Sequence, residues 1–299
     1  MVSAVITTCK RTPDIVMRAV ESVIRQTYAD IEILLIDDSP EDFPFREEVR
    51  RRAEELSVSS GKMIRYIPHE KCMGACAARN TGTENSHGEI IGFLDDDDEW
   101  LPEKVEKMVP LFSDPEVGLV YCHNIRIFDD TGKEEVIHRR DHGPHPYKEI
   151  VRGNYIGSTS FPLLRKKALQ EIGGFDLEMQ SAQDGDVWAR LSLKYKVVLC
   201  NVVGVRYHVH SGVQISSDPK KKIAGLERFN EKNRECMEEY RDIYWIRYMK
   251  LIPFYLQDGQ KNKALQAWKK AAKRCPEKIR GNLGYLKKIL IKIKESKQA

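Results

Sequence analysis

Four apolar runs punctuate the first third of this chain: Val2 to Thr7, Ile31 to Ile36, Met63 to Ile67 and Ile90 to Leu94. Between them the period changes. Ile15, Ala19, Val20, Val23 and Ile24 recur at helical spacing, Glu47 to Leu56 reads as a charged helix, and Ala75 to Thr83 as a third helix. Strand and helix alternating in this way build βαβ units around a parallel sheet. In open sheets of that kind the residues just past the carboxyl ends of the strands line the ligand crevice. Thr7, Thr8, Asp37, Asp38 and the run Asp95 to Asp98 all fall at such ends.

The last of these ends is the most charged. Asp95-Asp96-Asp97-Asp98-Glu99 sets five carboxylates in a row with no lysine or arginine among them. Like charges this close repel, so a fold tolerates them only when they are well solvated or share a cation. Hard divalent ions such as Mg²⁺ and Mn²⁺ select oxygen ligands of this kind. The run alone leaves both readings open, a solvated turn or a metal site.

The rest of the chain changes character by stages. Pro102 opens a helix to Phe112, Val117 to Phe128 reads as a long strand, and Asp129 to Gly132 as a hairpin turn. His138, His142 and His145 lie in a loop whose spacing fits no compact metal site, and a substrate-covering loop is expected there. A strand near Thr159 to Leu164, the turn Gly173 to Asp176, a helix from Val187 to Leu193 and a strand from Tyr195 to Val203 follow. Asp184 and Asp186 stand where an N-cap for that helix would be. Beyond Pro219 the pattern is helical, with Ala264, Leu265, Trp268, Ala271 and Ala272 on one stripe. Leu283, Leu286, Ile289, Leu290 and Ile293 beside four lysines make the final segment amphipathic and basic, suited either to packing on the body or to a membrane surface.

Charge divides along the same line. Residues 1–218 hold 27 Lys and Arg against 36 Asp and Glu, a net −9, and residues 219–299 hold 22 against 9, a net +13. The basic tail favours an anionic partner: phospholipid, a lipid-linked diphosphate or nucleic acid. No stretch approaches the roughly 20 apolar residues needed to span a bilayer, and Tyr244 to Leu256 is broken by Arg247, Lys250 and Pro253. Nothing at the N-terminus reads as a signal peptide, and seven scattered cysteines fit a reduced, cytoplasmic protein.

Six motifs in order resemble family 2 of the glycosyltransferases. They are Ala4 to Arg11, Val23 to Tyr28, Leu35 to Ser39, Gly74 with Ala78 to Gly82, Phe93 to Pro102, and Gly173 to Asp176 with Gln183-Asp184. The resemblance implies an α/β protein of the GT-A type, a Rossmann-like mixed sheet flanked by helices, with a helical basic C-terminal extension. It implies a GT-A domain over 1–216, with a nucleotide-binding half at 1–100 and an acceptor-binding half at 101–216, followed by the extension at 217–299. The implied activity is inverting transfer from a nucleotide-diphosphate sugar, with a UDP-sugar favoured, to a hydroxyl of a surface glycan or lipid-linked saccharide. The cofactor would be Mn²⁺ or Mg²⁺. Asp97 would be the direct metal ligand, with Asp95, Asp98 and His210 as further candidates. Asp38, with Asp37 as the alternate, would accept the uracil imide N–H. Thr7 and Thr8 would line the nucleotide pocket, Asp96 would meet the ribose, and Arg11 and Arg79 the phosphate or ribose. Arg79 is equally suited to a salt bridge. Asp184 would be the general base. With this reading nucleic acid is not an expected partner, while peripheral contact with the inner face of the membrane is.

Three positions depart from the family pattern. Cys9 replaces an aromatic residue that often stacks on the base, Ser39-Pro40 replaces Gly-Ser, and Cys72 replaces an Asn before Met73-Gly74. Two other readings are compatible with an acidic α/β site. A nucleotidyltransferase would be expected to carry a glycine-rich loop after the first strand, and Thr8 to Pro13 has no glycine. A non-catalytic sugar-nucleotide-binding scaffold would have no need of Asp95, Asp97 and Asp184.

Overall fold

The computed structural model describes residues 1–209 and 218–279, together with the single positions 284 and 287. Both His210 and the amphipathic segment from Leu283 to Ile293 were expected to matter. Apart from those two single positions, they lie outside the described residues. The chain divides into two compact units, one of residues 1–150, 155–177 and 184–211, the other of 151–154, 178–183 and 212–299.

In the first unit the expected alternation is present. Strands β1 (Val2–Thr8), β2 (Ile31–Asp37), β3 (Ile64–Pro68) and β4 (Ile90–Asp95) are joined by helices α1 (Pro13–Ile24), α2 (Arg46–Ser60) and α3 (Ala75–Asn85). All pairings among these strands are parallel. Every residue of β2 is buried, as expected of a strand covered on both faces. The register sets Thr7 beside Asp95 and Thr8 beside Asp37, so three polar strand ends share one edge. On α1, Val16, Val20 and Val23 fall on one buried stripe. On α3 the small residues admit the sheet: a Cβ at Gly82 would stand 2.2 Å from Val5 Cγ1.

Five more strands complete the sheet among the described residues. They are β5 (Glu99–Trp100), β6 (Val117–Phe128), β7 (Lys133–Ile137), β8 (Leu163–Arg165) and β9 (Lys196–Val209), with the order β3-β2-β1-β4-β8-β6-β9-β5 and β7 paired to β6. β8 is antiparallel to both β4 and β6, which makes the sheet mixed. The helices here are α4 (Lys104–Met108), α5 (Tyr147–Arg152), α6 (Lys166–Glu171) and α7 (Gln183–Ser192). The helix expected from Pro102 to Phe112 is instead α4 followed by a 3₁₀ turn at Val109–Ser113, because Pro110 cannot donate to an α-helical ladder. The strand expected near Thr159 shortens to Leu163–Arg165; the hydroxyls before it hydrogen-bond elsewhere, as described below.

The second unit is helical: α8 (Pro219–Lys232), α9 (Arg234–Glu239), α10 (Arg241–Gln257) and α11 (Lys261–Arg274). Asp218 caps α8, accepting from the Lys220 N–H at 2.8 Å. Ala264, Ala271 and Ala272 are buried with Ile252, Tyr255 and Trp245, which is the stripe expected from the sequence. Among the described residues no helix is long and apolar enough to cross a membrane.

Candidate active site

β4 delivers Asp95 to the shared edge and the chain turns at once, the Asp98 N–H donating to the Asp95 carbonyl at 3.0 Å. Exposure then alternates. The side chains of Asp95 and Asp97 are 29% and 25% exposed, those of Asp96 and Asp98 nearly or wholly buried. Arg79 donates to Asp95 at 2.8 Å, and Ser158 and Thr159 add hydroxyls at 3.0 and 3.1 Å. Arg11 bridges Asp96 at 3.1 Å and Asp97 at 2.7 Å, and Arg18 holds the Asp97 carbonyl. Asp98 accepts the His208 backbone N–H at 3.1 Å and has no opening to solvent.

The electrostatics follow from this crowding. Burial opposes ionisation of Asp95, but the Arg79 charge and the hydroxyl donors hold its carboxyl below the usual range. Burial raises Asp96 to about 7, with Asp97 and Asp95 pushing the same way against Arg11. Burial, then the charges of Asp95 and Asp97, lift Asp98 well above a normal carboxylate. Arg11 and Arg79 therefore do not fully neutralise the four aspartates, and the donor set is all oxygen. Those features fit a hard divalent cation held by Asp97 and Asp95, the two aspartates of the run that reach solvent. Among the described residues the run does not gather three ligand atoms into one cluster. A Mg²⁺-type ion needs only one or two carboxylates when phosphate and water fill the other positions.

At the end of β2 two neighbouring aspartates have different surroundings. Asp37 accepts the Ser39 N–H at 2.9 Å and the Tyr66 hydroxyl at 2.7 Å. Asp38 accepts the N–H groups of Met73 and Gly74 at 2.7 and 2.8 Å and faces His69 Nδ1 at 2.7 Å. It thereby ties the end of β2 to the start of α3. Thr8 contributes its carbonyl to the Asp38 N–H. Lys10 takes a left-handed φ of 55°, and its N–H donates to Ser39 Oγ. Cys9 and Cys72 meet beside Asp38, sulfur to sulfur at 3.8 Å.

α7 carries Asp184 in its first turn, half-buried, its Oδ1 accepting the Gly185 N–H. Asp186 is buried and bound twice by Arg190, which also holds the Ile172 and Gly174 carbonyls. Tyr207 on β9 relates Asp184 to the acidic run. Burial first, and then the charges of Asp98, Asp95, Asp97 and Asp184, push its phenol up to about 12. Sequence reasoning did not find Tyr207, nor Tyr66, His69, Ser158 or Thr159. None of them belongs to a periodic pattern that would single it out.

Comparison with known proteins bears on the family and the fold. Residues 3–173 match the family model for Glycosyl transferase family 2. The glycosyl transferase WcaA of Escherichia coli (strain K12), named for colanic acid biosynthesis, is 28% identical over 243 residues, covering 77% of this chain and 80% of that protein. An uncharacterized glycosyltransferase of Haemophilus influenzae is 27% identical over 172 residues, covering 57% of this chain and 55% of that one. Among solved structures, S. aureus TarS residues 1–349 in complex with UDP-GlcNAc superposes with a TM-score of 0.67 at 14% identity, over 89% of this chain and 79% of that one. The mixed sheet with flanking helices is thus the GT-A fold expected from the motifs. With the family match covering more than half of its length, the chain belongs to glycosyl transferase family 2.

Proposed function

We propose that this glycosyltransferase is inverting and metal-dependent, moving a sugar from a UDP-sugar to a hydroxyl of a surface glycan or a lipid-linked saccharide. The observation that carries the reading is the pair Asp95 and Asp97 at the strand ends, open to solvent among crowded carboxylates and held by Arg79 and Arg11, with Tyr207 under the charge of both that run and Asp184. A donor diphosphate at Asp95 and Asp97 and an acceptor at Asp184 would then share one site. Asp97 and Asp95 would hold Mn²⁺ or Mg²⁺, which as a Lewis acid stabilises negative charge on the leaving diphosphate. Asp184 takes the proton from the acceptor hydroxyl as its oxygen attacks the anomeric carbon. The bond from that carbon to the diphosphate breaks, its electron pair leaves with UDP, and the configuration inverts. Arg11, spanning Asp96 and Asp97, is poised to turn toward the diphosphate, and Asp38 to accept from the base.

The acceptor class rests on WcaA's name and on the basic tail, which would bring the enzyme to anionic headgroups at the inner face of the membrane. The test is a transfer assay with a panel of nucleotide sugars, with and without Mn²⁺, on the wild type and on Asp184→Asn. Loss of transfer with donor binding retained supports the assignment, and full transfer by the variant sinks it. A thermal-shift screen of the same panel identifies the donor, because a ligand that binds only the folded state raises its stability by mass action.

A further inference from the structure

Two of the three departures from the family pattern are cysteines, and they lie 63 residues apart in sequence. The fold brings them into contact. Cys9 follows β1, Cys72 precedes α3, and both are exposed, while the chain's other five cysteines are buried. Their sulfurs stand 3.8 Å apart, and with a carboxylate oxygen of Asp38 they form a group whose ligand atoms all lie within 4.8 Å of one another. We propose that Cys9, Cys72 and Asp38 form a binding site for a thiophilic divalent cation of the Zn²⁺ class, distinct from the oxygen-lined position at Asp95 and Asp97.

The spacing of the sulfurs suits the ion. Two thiolates on one tetrahedral zinc at about 2.3 Å each lie roughly 3.8 Å apart, the spacing found here. A disulfide would need the sulfurs to close to about 2.05 Å, well inside the spacing found here. The Asp38 carboxylate is already oriented by the Met73 and Gly74 N–H groups and by His69, the kind of outer support that metal-ligating carboxylates receive. The exposed thiols leave a fourth position to water. On binding, each thiol gives its proton to solvent, and the two thiolates and one carboxylate bind the dication with a net −1 charge. Two sulfurs select against Mg²⁺ and Mn²⁺, so this position and the one at Asp95 and Asp97 sort cations by softness. If Asp38 receives the base, which rests on the function proposed above, a cation here also excludes the nucleotide.

Co²⁺ titration of the reduced full-length protein tests the site. Bound cobalt is expected to give a thiolate-to-cobalt charge-transfer band with tetrahedral visible bands at one ion per chain. Cys9→Ser and Cys72→Ser should each remove the charge-transfer intensity that Cys76→Ser retains, with circular dichroism confirming that all three fold. Zn²⁺ should displace the cobalt and Mg²⁺ should not. Absence of the band in the wild type, or its persistence in both serine variants, overturns the site. Uridine, which carries the base without chelating phosphates, separates the two claims. Mutual exclusion of uridine and Co²⁺ supports the shared pocket. Simultaneous binding leaves the cation site standing and overturns the placement of the base at Asp38.

Discussion

The first unit keeps charge in two places, and they behave in opposite ways. At the ends of β2 and β4 each carboxylate is held by several donors: Asp95, partly open to solvent, by Arg79, Ser158 and Thr159, and Asp38, buried, by Met73, Gly74 and His69. A few residues beyond the acidic run, Lys104 is wholly buried. Its Nζ lies 4.0 Å from the Trp100 ring centroid and has no hydrogen-bond partner. Burial lowers its ammonium to about 8, and only the thiols of Cys122 and Cys200 oppose the shift. Charge density alone therefore does not mark a site. The strand-end cluster is reachable and its side chains are pre-positioned, whereas the lysine pays for its packing with desolvation.

Substitutions should separate the two places by readout. Asp184→Asn is expected to have the largest effect, a loss of kcat of about 10³- to 10⁴-fold, in the upper range for removal of a general base. Donor affinity should change little, because in the proposed mechanism Asp184 meets the acceptor and not the donor. Steady-state kinetics beside isothermal calorimetry of the donor would check this. Asp97→Asn should lower transfer by roughly 10²- to 10³-fold, as expected when one electrostatic stabiliser of a leaving group is lost. Activity in that variant should require more Mn²⁺, and an unchanged metal dependence would move the ion elsewhere.

Lys104→Met should do the reverse, sparing transfer and raising stability. A fall from 10.5 to about 8 corresponds to a penalty of about 3 kcal/mol for the buried ammonium. The folded state binds fewer protons than the unfolded chain between those values, so wild-type stability rises with pH across that window. Below pH 8 both states are protonated and the penalty is felt in full. The variant should therefore gain about 2–3 kcal/mol at pH 7, less as pH approaches 10, measured by denaturant melts at each pH. A gain independent of pH would show that packing, not charge, is responsible.

This contrast also accounts for what could be read in advance. The strand ends were legible because burial on both faces writes near-continuous apolar runs, and a carboxylate after such a run stands out. The hydroxyls of Ser158 and Thr159 were not legible, since they reach Asp95 from a loop more than sixty residues downstream. The ion pair of Arg79 with Asp95 is one of the two roles the sequence left open for it, whereas Arg11, expected to face phosphate or ribose, is here partnered by Asp96 and Asp97. β5, two residues long, has no period to detect, although it sets Trp100 against Gly92, where a Cβ would come within 2.4 Å of the ring. The meeting of Cys9 and Cys72 depends on two loops whose relative position only the folded sheet defines.

The smallest expected effect is also the most diagnostic of the strand-end cluster. Asp37 and Asp38 are adjacent, and the sequence left either as the acceptor for uracil. Both carboxylates are buried and partnered, Asp37 by Ser39 and Tyr66 and Asp38 by Met73, Gly74 and His69; with the base at Asp38, as proposed, Asp37→Asn should cost stability without altering which base is bound. Asp38→Asn should also cost stability, because it disturbs the contacts to Met73 and Gly74. Melting data therefore cannot tell the two apart, but base discrimination can. Uracil offers an imide N–H where cytosine offers only an acceptor, so a carboxylate favours UDP over CDP and an amide can serve either. Asp38→Asn should narrow the UDP-to-CDP affinity ratio by about tenfold, or about 1.4 kcal/mol, while Asp37→Asn leaves it unchanged. If the ratio narrows in Asp37→Asn instead, the base lies against the β3 side of the strand end, and Asp38 belongs to the scaffold that joins β2 to α3.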